Sequence, residues 1–498
     1  MQRVLPPIRS TALFSVSSTR RIEERATAAR PVHTLMRRAG FAVARLALAV
    51  APHAPRIWVC AGPGNNGGDG LDAAIHLAAA GKRVSVTLLG DPARLPFDAS
   101  DAFARAQAAG VSIALGGPAQ APTDLDDTGL VIDALLGIGA SRAPDGVIAS
   151  CIDAISRLNC VVLAVDVPSG LNCDTGKAAS ASAIRATHTL SLLTLKPGLF
   201  TAAGRDHTGE IWFDDLAVDS SQDAPDALLV GSDVAQGASR DHAQHKGSFG
   251  DVAVVGGAAS MTGAALLAAR AALAAGAGRV YASPLDDDAP MRDLVRPELM
   301  FRRHWWHSPD AVLASTTVVC GCGGGDAVRE PLPRMLSASG RLVLDADALN
   351  AIAADASLQA LLRARSARGR ATILTPHPLE AARLLGIDAV AVQADRLACA
   401  NALVERFRCT VLLKGSGTVI AAPGERPRIN ATGNAALATA GTGDVLAGWI
   451  GGLWAQQPDK PAVDVAAWAA HRHGAAADGY GGTSLLAGDL ILAMSNLG

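Results

Sequence analysis

A glycine-rich turn that runs into an apolar helix, with one carboxylate at the junction, can support phosphoryl transfer. Asn430-Ala431-Thr432-Gly433-Asn434 followed by Ala440-Gly441-Thr442-Gly443-Asp444 has that form. Beyond it Val445, Leu446, Trp449, Ile450 and Leu453 recur at helical spacing, which puts Asp444 in or just before the first turn. Such a turn offers unpaired N–H groups and the positive end of the helix dipole to phosphate oxygens. A carboxylate beside them can take the proton of an attacking hydroxyl. On these residues alone the plainer reading, an Asp that caps a helix, stays open. Lys414-Gly415-Ser416-Gly417-Thr418 offers a second phosphate contact: small residues let backbone N–H groups approach a diphosphate beside an ammonium. Its Lys precedes the glycines, so it is not a Walker A loop, and a plain β-hairpin turn is the alternative. His377, held between two prolines, and the carboxylates Asp345 and Asp347 sit at other strand ends.

The first half carries oxygen donors instead. Asn65-Asn66-Gly67-Gly68-Asp69-Gly70 follows a short apolar strand but lacks the glycine spacing of a dinucleotide fingerprint. Two amides and a carboxylate in one turn suit ribose or amide recognition, or a hard cation; the alternative is turn and cap chemistry. Asp133 and Ser169 can complete an oxygen cage. Asp166, before Val167-Pro168-Ser169-Gly170, is a candidate base on a rigid strand end. Lys196-Pro197-Gly198-Leu199 can hold a phosphate, with a surface lysine before a turn as the default reading.

These groups need elements to position them. Apolar runs predict strands at 56–61, 84–89, 130–135, 161–167 and 187–193, with an Ala-rich helix after the first: a doubly wound α/β domain with its polar residues at the carboxyl edge. Residues 219–241 lose periodicity and read as a linker, although 228–230 can form a short strand. A second α/β pattern follows, with strands at 251–256, 279–282, 317–320, 341–344, 371–374 and 410–413 and a helix at 262–275. The expected division is 1–220, a linker at 221–240, and 241–498. A chain of 498 residues is too long for one core and comfortable for two. A net charge of −2 gives no case for nucleic acid or an anionic membrane surface, and no apolar run reaches spanning length. The eight scattered cysteines read as reduced thiols, and Cys320-Gly321-Cys322 is too close-spaced for an ordinary zinc pair. Arg3, Arg9, Arg20 and Arg21 raise a transit peptide, but Glu23 and Glu24 follow at once; a cytoplasmic protein is expected.

Taken in order, these motifs resemble the bifunctional NAD(P)H-hydrate repair enzymes from about Ile22 onward. The resemblance rests on 64–70, 166–170, 196–199, 375–378, 414–418 and 441–444. It implies a Rossmann-like three-layer αβα epimerase domain joined to a ribokinase-like αβα dehydratase domain dependent on ADP. It further implies that Asn65, Asn66, Gly67, Gly68 and Asp69, with the loop Gly137, Ile138, Gly139, Ala140, Ser141, Arg142 and Ala143, hold NADH hydrate or NADPH hydrate. Asn66, Asp133 and Ser169 would ligate K+, and Asp166 would act near the reacting carbon. In the second domain Ala264, Gly323, His377 and Asp444 would line the hydrate site. Lys414, Gly415, Ser416, Gly417, Thr418 and Gly443 would hold ADP with Mg2+, and Asp444 would be the catalytic base. A homo-oligomer is expected, with no nucleic-acid or membrane partner. This chain has Gly321-Cys322-Gly323-Gly324-Gly325 where the family usually has Gly-Pro-Gly-Leu-Gly, Leu379 where Gly is usual, and His188 where an acid is common. The alternatives are a ribokinase-like small-molecule kinase fused to a Rossmann-like domain, and a first half that only binds.

Overall fold

Alternation of side chains along apolar strands decides the architecture, because each strand must bury both faces under helices. In Asp251–Gly256, Val252 and Val254 enter one buried cluster while Ala253 and Val255 enter another; Ile57 and Val59 part from Trp58 and Cys60 in the same way. The computed structural model describes residues 1–116, 121–123, 125–140, 142–179, 183–234, 241–482 and 484–497. It divides into two units, Met1–Pro6 with Ala12–Ala227, and Pro7–Thr11 with Leu228–Gly498.

In the first unit eight strands form one sheet in the order Gln2–Arg3, Glu210–Asp214, His188–Leu192, Val161–Val165, Leu130–Ala134, Arg56–Ala61, Arg83–Leu88 and Ser112–Leu115. Every pairing is parallel except that of Gln2–Arg3 with Glu210–Asp214. The chain winds outward from Arg56–Ala61 in one direction, then returns to its other side at Leu130–Ala134. That reversal is a topological switch point, where open α/β sheets bind ligands beyond the strand ends. Gly62 lets the two loops touch: a Cβ there would lie 1.8 Å from the Leu135 carbonyl oxygen.

The second unit repeats the logic. From Met300–Phe301 its strands run Arg279–Pro284, Asp251–Gly256, Thr317–Cys320, Arg341–Leu344, Ala371–Leu374, Thr410–Leu413, Thr418–Ala421 and Arg428–Asn430. The switch point lies between Asp251–Gly256 and Thr317–Cys320, and a Cβ on Gly256 would lie 2.3 Å from the Cys322 carbonyl oxygen. The helix Thr442–Gln456 packs flush on Thr262–Ala274 because Gly448 and Gly452 carry no side chain against the carbonyls of Ala268 and Ala272. Within the stretch expected as a linker, Ala227–Leu229 forms a strand whose Leu228 and Leu229 pair with Arg428 and Ile429. Residues 235–240 of that stretch lie outside the described residues. Asp233 also accepts the backbone N–H of Ser10 at 3.0 Å, which is how Pro7–Thr11 joins this unit. Among the described residues no helix is long and apolar enough to cross a membrane.

Candidate active sites

At the first switch point a cavity of about 480 Å³ opens between the loops that follow Arg56–Ala61 and Leu130–Ala134. Asn65, Asn66 and Asp69 reach it from the first turns of the helix Asn65–Ala79, and Gly137, Ile138, Gly139 and Ala140 form the opposite wall. Gly67 and Gly68 do not line it. They permit packing: a Cβ on Gly67 would lie 2.0 Å from the Gly62 oxygen, and one on Gly68 2.6 Å from Met36. Arg142 and Ala143 are exposed and outside the cavity wall, and Ser141 lies outside the described residues.

Asp166 sits at the end of Val161–Val165 with φ 66°, a backbone region that bulky residues rarely adopt and that aims its side chain into the cavity. Its Oδ1 accepts Lys196 Nζ and the Leu192 N–H, and that lysine is wholly buried and also donates to the Leu192 oxygen at 2.7 Å. The surface reading of Lys196 is therefore wrong; its stem runs under the turn and its ammonium serves a buried carboxylate. Asp69 and Glu23 share the cavity. Burial and then the Asp166 charge push both carboxyls up, Asp69 well above the usual range.

Asp133 and Ser169 form a separate buried pair. Ser169 donates its hydroxyl to Asp133 Oδ1 at 2.6 Å and its N–H to Oδ2 at 2.8 Å. Burial lifts Asp133 to about 6, against those two bonds, and no cation stands among its partners. Asn66 Nδ2 is buried without a partner among the described residues, and a half-turn of that amide would present its oxygen instead.

In the second unit Asp444 occupies the first turn of Thr442–Gln456, behind Gly441 at φ 90°. Burial and the neighbouring Asp345 raise it to about 6, while Cys322 and Lys414 pull it back. Lys414 Nζ bonds Asp345 Oδ1 at 2.7 Å, where Thr375 Oγ1 also donates at 2.7 Å. Burial lowers the lysine, but Asp345 and Glu380 more than offset it, so it ends above its ordinary value. A Cβ on Gly443 would sit 3.4 Å from this ammonium, which places the cation beside the helix start. Gly415 and Gly417, at φ 133° and 62°, turn the hairpin between Thr410–Leu413 and Thr418–Ala421, and Arg396 holds it by donating to the carbonyls of Leu413 and Lys414. The hairpin reading and the phosphate-turn reading of 414–418 are thus compatible.

Gly323, at φ 57°, packs on the start of Thr262–Ala274, where a Cβ would meet Ala264 at 2.8 Å. His377 caps the helix Pro378–Leu385: its Nδ1 accepts the N–H groups of Leu379 and Glu380 at 3.1 and 3.3 Å, and Glu380 returns a bond to its N–H. Burial and Lys414 lower His377, so a neutral ring is its working form. Cys322 Sγ, Asp345 and Asp444 offer ligand atoms within 4.8 Å of one another.

A family model described as NAD(P)H-hydrate dehydratase matches residues 252–491, and one described as YjeF-related protein N-terminus matches residues 32–198. The bifunctional NAD(P)H-hydrate repair enzyme Nnr of Escherichia coli (strain K12) is 34% identical over 479 residues, 94% of this chain and 89% of that protein. Its namesake from Coxiella burnetii is 35% identical over 92% of this chain and 93% of that protein. The ADP/ATP-dependent NAD(P)H-hydrate dehydratase of Bacillus subtilis, co-crystallized with ATP/Mg2+, is 28% identical over 52% of this chain and 93% of its own, with a TM-score of 0.43.

The chain belongs to the bifunctional NAD(P)H-hydrate repair enzymes. It is an enzyme of two activities, an epimerase and a dehydratase, on an α/β fold. Of the family departures, His188 starts the strand whose far end, Leu192, reaches the cavity, so it is remote from the chemistry. Cys322 is not remote: it touches the carboxylates of the second site. The sequence reading passed over Glu23, the partnership of Lys196 with Asp166, and Glu380. Glu23 and Lys196 face groups distant in sequence, as Glu380 faces Lys414, and the capping-box glutamate three residues after His377 is the one local signal.

Proposed function

We propose that the first cavity interconverts the R and S epimers of NADH hydrate and NADPH hydrate, and that the second site dehydrates the S epimer at the expense of ADP. Residues 1–220 form the epimerase part, 221–240 the connection and 241–498 the dehydratase part. In the first, Asn65, Asn66, Asp69, Asp166 and the cavity wall Gly137, Ile138, Gly139 and Ala140 contact the nucleotide, and Gly67 and Gly68 bring the helix start close. The donor set of Asn66, Asp133 and Ser169 fits K+: an unpartnered buried amide and a buried carboxylate without a cation are relieved by a singly charged ion. K+ would supply fixed positive charge there.

In the second site Ala264, Gly323 and His377 shape the hydrate pocket, and Lys414–Thr418 with Gly443 receive the diphosphate. The observation that carries this reading is Asp444. It stands at a helix start beside Lys414, yet the lysine is bonded to Asp345, which leaves the Asp444 carboxylate basic at about 6. A base of that strength is ionised at neutral pH and can take the proton of the substrate hydroxyl as that oxygen attacks the terminal phosphoryl group of ADP. The ring nitrogen's lone pair then expels inorganic phosphate to give a C=N+ bond, and loss of a proton from the adjacent ring carbon to solvent restores the ring double bond. The cluster of Cys322, Asp345 and Asp444 is a poor Mg2+ cage, because a thiol is a soft donor and Lys414 already occupies Asp345. Mg2+ would arrive on the nucleotide's own oxygens. A cytoplasmic location fits the eight unpaired thiols.

The test is an absorbance assay of the purified full-length protein with K+, Mg2+ and an epimeric mixture of NADH hydrate, run with ADP and with ATP side by side. Recovery of dihydronicotinamide absorbance to completion is expected with ADP. No recovery with either nucleotide overturns the reading.

A further inference from the structure

Four side chains of the helix Val16–Ala28 line the epimerase cavity: Thr19, Arg20, Glu23 and Thr27, one face of a helix by their spacing. Glu23 is the carboxyl among them. Around it stand Asp166, Lys196, Arg20, Asp98 and Asp69, from four other segments and its own helix. Lys196 is committed to Asp166, and Glu23 has no hydrogen bond or ion pair among the described residues. A half-buried carboxyl beside a paired carboxylate, and itself unpaired, has its acid form favoured.

Resting on the epimerase reading of this cavity, we propose that Glu23 is a catalytic acid of epimer exchange, protonating the hydroxyl that leaves the reacting carbon. Water adds to an enamine with its oxygen on the carbon bonded to nitrogen, so the hydroxyl of the hydrate sits next to the ring nitrogen. Inverting that carbon requires its C–O bond to break. Glu23 gives its proton to the hydroxyl oxygen, the C–O electron pair leaves with the water formed, and the nitrogen lone pair closes a C=N+ bond. Asp166, fixed by Lys196, supplies negative charge facing that cation. Water then attacks the other face, a C–O bond re-forms as the C=N+ pair returns to nitrogen, and the surplus proton passes to solvent, from which Glu23 is reprotonated. No oxidant or reductant is consumed. Burial and the Asp166 charge, set against Lys196 and Arg20, raise Glu23 above the ordinary glutamate value, the direction that favours the acid form.

The experiment compares wild type, Glu23→Gln and Glu23→Asp in the full-length protein. The readout is the slow phase of absorbance recovery, in which the R epimer must convert before it is dehydrated. Glu23→Gln is expected to lower kcat of that phase by about 10²-fold or more, with KM little changed and the S-epimer phase intact. In wild type this phase should weaken as pH rises through the Glu23 pKa; that limb should vanish in Glu23→Gln and return, with part of the rate, in Glu23→Asp. A Glu23→Gln protein with wild-type kcat and limb, or with only KM raised, overturns the proposal. A wild-type protein with no R-epimer phase instead sinks the epimerase reading, before any variant is made.

Discussion

Each unit sets a lysine near an aspartate at the carboxyl edge of its sheet, and the two lysines do different things. In the first, Lys196 is buried and bonded straight to Asp166. In the second, Lys414 stands beside the Asp444 helix but bonds Asp345, so Asp444 keeps a carboxylate raised to about 6 with a thiol near it. A directly paired carboxylate is a fixed charge, suited to orienting a substrate and facing positive charge. One with no ammonium bonded to it, in a partly buried, acidic setting, is raised toward neutrality and can exchange a proton. The same two residue types therefore serve electrostatics in one unit and proton transfer in the other, and which it is depends on where the ammonium goes.

The sharpest way to break this contrast is to remove the base. Asp444→Asn should cut dehydration of the S epimer by about 10²–10⁴-fold, the range for a lost general base, while exchange between epimers, followed by chromatography, continues. Wild-type dehydration in that variant would leave Asp444 as a helix cap. Next in size is the lysine of the first unit. Lys196→Met strands a buried charge on Asp166 and should destabilise that unit by about 3–5 kcal/mol, read as an early transition in urea unfolding while S-epimer dehydration persists. Adding Asp166→Asn should return part of that stability, because the orphaned charge is gone. If Lys196→Met unfolds like wild type, the buried ion pair is not what anchors that strand end.

Much of this was legible in the chain because it is local. Gly64–Gly70 and Gly441–Asp444 announce strand-to-helix turns by composition, and alternating valines announce buried strands. The partners were not legible. Lys196 precedes a Pro-Gly turn, which reads as surface, and only the fold tucks it under Leu192 against Asp166. Asp345 reads as a strand-end carboxylate until Lys414, 69 positions later, is found bonded to it. Glu23 lies in a helix whose sequence looks amphipathic and ordinary, and the cavity it lines is built from segments spread along the unit, from Met36 and Asn65 to Asp166 and Lys196. Sequence spacing reports the elements, whereas charge pairing across a sheet edge depends on tertiary contacts that spacing does not encode.

The smaller effects sharpen the comparison by titration. Since Asp444 must be ionised to act, the S-epimer rate should be full well above pH 6 and fall as pH drops through about 6, losing about tenfold per unit further down. A flat profile from pH 5 to 8 would mean that another group takes the proton. The smallest shift concerns Cys322, which stands where the family usually has proline. Its sulfur donates to Asp345 Oδ2 at 3.9 Å and lies within 4.8 Å of the Asp444 carboxylate, near enough to lower that carboxyl against the burial that raises it. Burial keeps the thiol itself protonated, with a pKa well above the ordinary value, so it acts as a donor and not as a thiolate. Cys322→Ala removes the donor, leaves Asp444 a stronger base, and should move the acid limb up by about half a pH unit, the equivalent of a bond worth ~0.7 kcal/mol. Cys322→Ser keeps a donor at the same place and should leave the limb where it is or move it down. An unmoved limb in Cys322→Ala, or equal upward shifts in both variants, would show that the thiol packs against Asp444 without bonding it, and the base would then be set by burial, Asp345 and Lys414 alone.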